Sequence, residues 1–209
     1  MKVQKGDLIE VMITGSAGGT VFEKAEKPLV VFAGEGQVVK GLDDALLDAE
    51  VGAATKVTLA PENAFGERRD DAVRLIPLEQ FHRQGVEPVA GMPVELDGVS
   101  ARVQAVSGGR VRVDFNHELA GKTVDYEFTI QKAYSTPADK VSGMQAHLLG
   151  GCTAVLEGSA VKVSAPAAVR KDADFISRKL GFVGRCLRYV AGVKSVSFLE
   201  DYESPDSPA

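Results

Sequence analysis

Short strand-like segments separated by glycine-containing turns follow one another along most of the chain. In residues 3–14, Ile9, Val11 and Ile13 alternate with the side chains between them. An alternation with a period of two places successive side chains on opposite faces of a strand. Further strands are predicted at residues 21–23, 29–33 and 55–59. With the helices described next, this pattern predicts a protein of the α+β class.

Two segments have helical rather than strand periodicity. Leu42, Ala45, Leu46 and Ala49 recur at helical spacing, which predicts a short helix that ends near Gly52. A longer amphipathic helix is predicted from 172 to 191. Its apolar stripe is expected to contain Phe175, Lys179, Leu180, Val183, Leu187 and Val190.

The character of the sequence changes at Glu67, where a charged run is followed by a small β-rich module. Strands at 92–96, 100–106 and 110–115 are joined by Asp-Gly and Gly-Gly turns. The first domain is therefore interrupted and then resumes with the strand that begins at Val124. The predicted domains are 1–66 with 114–134, the insert 67–113, a linker 135–142, a C-terminal ββαβ domain 143–200, and a disordered acidic tail 201–209.

Composition excludes several classes of protein. The net charge of −5 argues against a nucleic-acid partner, which requires a basic surface. The polar N-terminal segment predicts the absence of a signal peptide, and no apolar run is long enough to span a membrane. Cys152 and Cys186 lack metal-site spacing and are expected to be buried thiols in a reducing compartment, although a disulfide between them is possible. A cytoplasmic protein is expected.

The usual catalytic constellations are weak in this sequence. The three histidines are far apart, so neither a metal site nor a cofactor is predicted. The sequence has neither the GxSxG motif nor a phosphate-binding P-loop. If the chain is an enzyme, its reaction requires no strong acid, base or nucleophile. Prolyl cis/trans isomerisation is such a reaction, because its barrier comes from amide resonance.

Four motifs together resemble the FKBP isomerases, and in particular their SlyD-type branch. The segment 38–42, VVKGL, is similar to the family's pocket-floor motif, and 60–66, APENAFG, is similar to its P-x-x-A-Y-G loop. The segment 19–23, GTVFE, resembles G-x-x-F-D, and 116–122, NHELAGK, resembles the SlyD signature NHPLAGK. The resemblance implies an FKBP-like antiparallel half-barrel on a short helix, an insert-in-flap domain, and the long archaeal-like form with an extra C-terminal domain.

The resemblance also implies a prolyl pocket. The catalytic residues it assigns are Phe22, Glu23, Val38, Val39, Leu42, Phe65 and Tyr126, and the substrate-binding residues include Ile13, Leu29, Gln37 and His117. The family usually has tyrosine at Ile13, aspartate at Glu23 and tyrosine at Phe65. These departures predict reduced activity. The alternative interpretation is that these apolar residues are only barrel core.

Asn116 and His117 begin the segment where the first domain resumes. Asn116 is expected to tie this turn through hydrogen bonds from its side chain to the backbone. His117 would lie near the rim of the pocket or would only satisfy local backbone groups, and the sequence favours neither role.

In SlyD-type proteins the insert binds unfolded chains. Here Val73, Leu75 and Pro77 are predicted to lie on a strand with an open edge, to which an extended client could add. Phe81 and Met92 could line an adjacent apolar groove, or could simply pack the core of a module this small.

The predicted function is a peptidyl-prolyl cis/trans isomerase that acts on unfolded or proline-containing polypeptides. The alternative is a non-catalytic holdase whose FKBP pocket has degenerated. The open C-terminal sheet suggests a homodimer. A metallochaperone is disfavoured because the tail, EDYESPDSPA, has neither histidine nor cysteine.

Overall fold

A computed structural model describes residues 1–200 of the chain. The predicted acidic tail, 201–209, lies outside the described residues. The chain divides into two compact units. Among the described residues, the first contains 1–15, 21–57 and 126–200, and the second contains 16–20 and 58–125.

A five-stranded sheet contains the strands at the start of the chain. Its members are β1 (Leu8–Ala17), β2 (Thr20–Lys24), β3 (Leu29–Phe32), β4 (Ala54–Leu59) and β9 (Val124–Tyr134), with the order β2-β1-β9-β4 and with β3 also paired to β1. Strand β3 is antiparallel to β1, and Leu8 faces Phe32 in the register. Helix α1 (Lys40–Leu46) follows β3 and is shorter than the sequence predicted.

The inserted segment forms a four-stranded antiparallel sheet. In the order of the sheet, its strands are β5 (Val73–Pro77), β8 (Arg110–Asp114), β7 (Val99–Ser107) and β6 (Pro93–Leu96). A short helix α2 (Leu78–Arg83) follows β5, and its Phe81 is buried against the sheet with Val103, Val111 and Val113. The predicted β-rich insert therefore has its own core. The insert was predicted to begin at residue 67, whereas the second compact unit includes residues 16–20 and the chain from 58 to 125.

Within residues 136–200, the C-terminal segment contains three helices and three strands. They are α3 (Pro137–Leu148), β10 (Thr153–Glu157), β11 (Ala160–Ser164), α4 (Ala167–Arg170), α5 (Phe175–Tyr189) and β12 (Ser195–Leu199). Strand β11 is central, antiparallel to β10 and parallel to β12. Together with the other two sheets, these elements make the fold a mixed α+β architecture, in which the C-terminal sheet contains both antiparallel and parallel pairs.

The predicted linker 135–142 is wrong, because most of it belongs to helix α3. Thr136 is the N-cap residue, and its hydroxyl accepts a hydrogen bond from the Asp139 amide at 3.1 Å. Pro137 occupies the first turn of the helix, where backbone N–H groups have no acceptor within the helix. The N–H that proline lacks therefore breaks no helical hydrogen bond. The proline that suggested a linker is therefore compatible with the start of a helix.

The predicted apolar stripe of the long helix is also partly wrong. Helix α5 buries Phe175, Phe182 and Cys186, whereas Leu180 is 65% exposed and Leu187 is 48% exposed. The helix carries apolar residues on two faces, and only packing decides which face is buried. Both cysteines are buried free thiols, so the possible disulfide does not form.

One hydrophobic cluster joins the C-terminal segment to β1 and β3 within the first compact unit. Leu8, Val30 and Phe32 belong to the same buried cluster as Met144 and Phe182. The ring of Phe32 also stacks on Tyr189 of α5, with ring centroids 4.7 Å apart. No helix in residues 1–200 has the length and apolar character needed to cross a membrane.

Candidate functional site

Two aromatic rings meet over a glycine on the five-stranded sheet. Phe22 lies on β2 and Tyr126 on β9, and β1 runs between these strands. The rings contact edge to face, with centroids 5.8 Å apart and an interplanar angle of 90°. A Cβ atom added at Gly15 of β1 would lie 2.7 Å from the Phe22 ring and 2.9 Å from the Tyr126 ring. Glycine at this position is what allows the two rings to meet.

The hydroxyl of Tyr126 is hydrogen-bonded to the Glu23 carboxylate. Burial raises the pKa of Tyr126 to about 12, and the charge and hydrogen bond of Glu23 act in the same direction. The hydroxyl therefore stays protonated at neutral pH and donates to the carboxylate. Ile13, which is buried two residues before Gly15 on the same face of β1, has no hydroxyl to offer.

The loop between β3 and α1 is held by side chains that bond its backbone. The Asp43 carboxylate accepts hydrogen bonds from the amides of Gly34 and Gly36 at 2.9 and 2.7 Å. The side-chain oxygen of Gln37 accepts from the Phe32 amide at 3.1 Å. These bonds fix the path of the chain that leads into the predicted pocket residues.

The next residues of this loop combine apolar side chains with an available backbone donor. Val38 and Val39 are half-buried, and Leu42 is buried with 2% exposure. The Val39 carbonyl accepts from the Leu42 amide at 3.0 Å. In the described part of the chain, no acceptor lies against the Val39 N–H. Leu29, on β3, is 39% exposed.

In the second compact unit, Phe65 and His117 form a stacked pair. Their ring centroids are 4.5 Å apart and their planes differ by 3°. His117 Nδ1 accepts a hydrogen bond from the Leu119 amide at 3.1 Å, so the neutral imidazole carries its proton on Nε2. His117 therefore satisfies a local backbone group and also packs on an aromatic ring.

Asn116 ties together the two chain segments that connect to the insert. Its side-chain oxygen accepts from the Arg69 amide at 2.8 Å, and its side-chain nitrogen donates to the Arg69 carbonyl at 2.9 Å. The same nitrogen donates to Asp114 at 2.7 Å. The predicted role of Asn116 in holding the turn through backbone hydrogen bonds is confirmed.

The predicted client-binding residues lie in two parts of the insert. Strand β5 is at the edge of its sheet, and Leu75 on this strand is 61% exposed. Val73 and Pro77 share the face of Leu75. Phe81 is 2% exposed and belongs to the core, while Met92 is half-buried, and both border a groove of about 210 Å³. The Phe81 side chain is therefore almost entirely buried in the core of the insert.

Comparison with known proteins identifies the family. Residues 1–82 match the family described as FKBP-type peptidyl-prolyl cis-trans isomerase, and residues 74–119 match the family described as FKBP26, IF domain. A short-type peptidyl-prolyl cis-trans isomerase of Methanocaldococcus jannaschii is 35% identical over 56% of this chain and 73% of its own length. The chain belongs to the FKBP-type peptidyl-prolyl cis-trans isomerase family.

Bacterial FKBP relatives support the same assignment. The FKBP-type isomerase SlyD of Helicobacter pylori is 30% identical over 61% of this chain and 72% of its own length. A probable FKBP-type 16 kDa isomerase of Pseudomonas fluorescens is 31% identical over 62% of this chain and 81% of its own length. The predictions of an FKBP-type isomerase of the SlyD kind, and of an insert-in-flap domain, are confirmed.

The FKBP structure brings some of the predicted site residues into direct contact. Phe22, Glu23 and Tyr126 form one group, and Phe65 stacks with His117 in another. Gly15 was not among the predicted site residues. The alternation that put Ile13 on one face of β1 would have put Gly15 on the same face two residues later.

Proposed function

We propose that the protein catalyses cis/trans isomerisation of Xaa-Pro bonds in polypeptides. The observation that carries this proposal is the Phe22–Tyr126 ring pair, whose hydroxyl is bonded to Glu23. Aromatic rings offer an apolar surface on which a proline ring can pack. The same group contains no serine or cysteine and its tyrosine hydroxyl stays protonated, which suits a reaction in which no covalent bond is made or broken.

Catalysis then depends on the surroundings of the prolyl amide. The barrier of ~18–20 kcal/mol comes from amide resonance, which places partial charges on nitrogen and oxygen. An apolar site disfavours these charges and so stabilises the twisted amide relative to the planar one. The free Val39 N–H is suited to donate a hydrogen bond to a carbonyl of the bound chain and hold it in place.

The departures from the family pattern reduce this activity without removing it. The family tyrosine at position 65 is phenylalanine here, so a hydroxyl donor is missing. One neutral hydrogen bond is worth ~0.5–1.5 kcal/mol, which corresponds to a loss of up to about tenfold. Position 13, usually a tyrosine in the family, is isoleucine here and has no hydroxyl. Tyr126 supplies a hydroxyl in its place, since the Tyr126 hydroxyl bonds Glu23.

The test is the isomerisation rate of a Leu-Pro tetrapeptide in the presence of the wild type and three variants. Tyr126→Phe keeps the ring but removes the hydroxyl, and should lower kcat/KM by about threefold to tenfold. Phe65→Tyr should raise it by up to about tenfold. Tyr134→Phe is the matched control, because Tyr134 is on the same strand but donates to Glu10 at 2.6 Å. Equal activity in all four proteins would contradict the proposed site.

We further propose that the insert binds unfolded client chains along β5. The strand has an open edge, and its exposed Leu75 supplies an apolar contact. Binding there raises the local concentration of client near the enzyme. Leu75→Glu should slow catalysed refolding of a proline-limited protein and leave the tetrapeptide rate unchanged. Val99→Glu, at a residue of the same insert that is 50% exposed, is the control.

The holdase alternative gives a different result in these assays. A holdase would suppress aggregation of an unfolded protein without accelerating isomerisation of the tetrapeptide. Wild-type protein that behaves in this way would replace the isomerase proposal, because the family fold would then serve only as a scaffold.

We also propose that the C-terminal sheet pairs with a second copy. Both β10 and β12 are edge strands, and Val155 and Leu199 on them are 54% and 62% exposed. Pairing would cover these apolar side chains and unpaired backbone groups. Sedimentation that shows a 22.1 kDa monomer at high micromolar concentration would exclude the dimer.

A further inference from the structure

Helix α5 carries positive charge that the surrounding structure does not neutralise. The segment Phe175–Tyr189 contains Arg178, Lys179, Arg185 and Arg188 but no acidic residue, in a protein with a net charge of −5. Arg178 and Lys179 each form a salt bridge. Within residues 1–200, neither Arg185 nor Arg188 has an acidic partner, although the Arg188 guanidinium lies 5.2 Å from the Tyr189 ring.

The two unpaired arginines border a groove of about 600 Å³ between α5 and β3. Its β3 side is apolar and includes Leu29 and Val31. Leu29 and Gln37, which also borders the groove, are two of the residues that the family resemblance assigns to substrate binding. The groove therefore shares these two residues with the proposed substrate-binding site. Both of its walls belong to the first compact unit.

Two glycines keep the helix side of this groove open. Gly181 and Gly184 lie inside α5, where glycine is less favourable than alanine. A Cβ atom added at either position would meet nothing within 4 Å. Larger side chains would therefore fit sterically, but they would occupy the space beside Arg185.

We propose that this groove binds the part of a polypeptide substrate next to the isomerised proline and favours acidic side chains there. Arg185 and Arg188 are the partners of those carboxylates, and Leu29 contacts the substrate between them and the proline. Guanidinium groups pair well with carboxylates, and neither of these two has an acidic partner in the described structure. This inference rests on the proposed isomerase function and adds a preference among its substrates.

The test uses peptides with the same Leu-Pro core and a two-residue extension of either Glu-Glu or Gln-Gln, placed before or after the core. At low salt, the wild type should have a kcat/KM about fivefold higher for the Glu peptide than for the Gln peptide on one side of the proline. In 1 M salt the two peptides should become equal, because the Debye length falls to about 3 Å.

Three variants locate the preference. The double change Arg185→Gln and Arg188→Gln should reduce the Glu-to-Gln ratio to near one and leave the Gln peptide unaffected. Gly184→Leu should also reduce the Glu-to-Gln ratio to near one, because its side chain fills the groove. The control is Arg110→Gln with Arg112→Gln, which removes the same charge from exposed positions on the insert and should keep the fivefold ratio.

The outcomes separate this inference from the proposed function. Catalysis of both peptides without a Glu preference overturns the inference and leaves the isomerase proposal intact. Catalysis of neither peptide overturns the isomerase proposal and the inference with it. The competing occupant of the groove is the chain's own C-terminal segment, which contains Asp201, Glu203 and Asp206. A variant that ends at Glu200 tests this alternative. A preference that emerges only after that truncation would assign the groove to the chain's own C-terminal residues.

Discussion

Replacing Asp114 with asparagine should loosen the insert where it joins the rest of the chain. Asp114 is 9% exposed and accepts hydrogen bonds from the Asn116 amide at 3.0 Å, the Asn116 side chain at 2.7 Å and Gln104 at 2.9 Å. It also forms a salt bridge with Arg68. An asparagine keeps the shape but removes the charge and turns one acceptor into a donor.

The size of the effect follows from the pKa of Asp114. Burial by itself would raise this pKa, but the hydrogen bonds from Asn116, Arg68 and Gln104 together lower it from 3.8 to about 2. Because the pKa is lower in the folded protein, the carboxylate stabilises the fold fully above pH 3.8. This contribution is lost as the pH falls through about 2. The difference corresponds to about 2 kcal/mol.

Hydrogen exchange measured by NMR is a suitable assay, because it reports the opening of the insert separately from the rest of the protein. For the amides of β8 at pH 6, Asp114→Asn should lower the free energy of opening by about 2 kcal/mol. Asp71→Asn is the control, because Asp71 pairs with Arg69 on the exposed surface; it should change little. Wild-type exchange rates in Asp114→Asn, or a wild-type Asp114 carboxyl that titrates near 3.8, would refute the reasoning.

Three further predictions concern packing in the first compact unit. Gly15→Ala should lower the free energy of unfolding by about 1–3 kcal/mol, because the new methyl group would overlap the rings of Phe22 and Tyr126. It should also lower kcat/KM for the tetrapeptide. Unchanged activity would contradict the ring-pair site. Phe182→Ala should cost about 3–5 kcal/mol in urea unfolding, since this ring is fully buried in the C-terminal core, and a loss below 1 kcal/mol would mean that the core is not packed as described. Burial raises the pKa of the Cys186 thiol to about 12, so Ellman's reagent at pH 8 should modify it only after denaturation; rapid reaction in the native protein would show that the thiol is accessible.

The strands of the half-barrel could be predicted because each has one buried face. In β9, Val124, Tyr126 and Phe128 are buried, while Asp125 and Glu127 are exposed, as the alternation predicts. A one-residue slip would put every apolar side chain of the strand into water, so the pattern specifies the orientation strongly. The family motifs could be found for a related reason, since they are short segments whose residues are close in sequence.

Helix α5 shows where local pattern is insufficient. Both Phe182 and Leu180 fit an apolar helical stripe, yet the first is fully buried and the second is 65% exposed. Which of two stripes is buried depends on the sheet and helix that pack against it. The start of α3 was missed for a different reason, because Pro137 has the same sequence signature at the start of a helix as in a linker.

The candidate site was predictable as a set of residues but not as a set of contacts. Motif order identified Phe22, Glu23 and Tyr126. The contact between the Phe22 and Tyr126 rings depends on Gly15, which lies on the strand between them. It also depends on the pairing of β1 with β2 and β9 in the sheet. Strand order joins residues that are more than 100 positions apart, and a single sequence contains no local signal for it.

The sequence alone determined the strand faces, the turn positions, the family motifs and the presence of an insert, because each depends on residues that are near neighbours in the chain. The tertiary structure decided the buried face of α5, the ring contact over Gly15 and the groove beside Arg185 and Arg188. Each of these depends on which distant segments pack together. Their packing is set by the burial of whole surfaces and the closure of long loops, which no short stretch of sequence encodes.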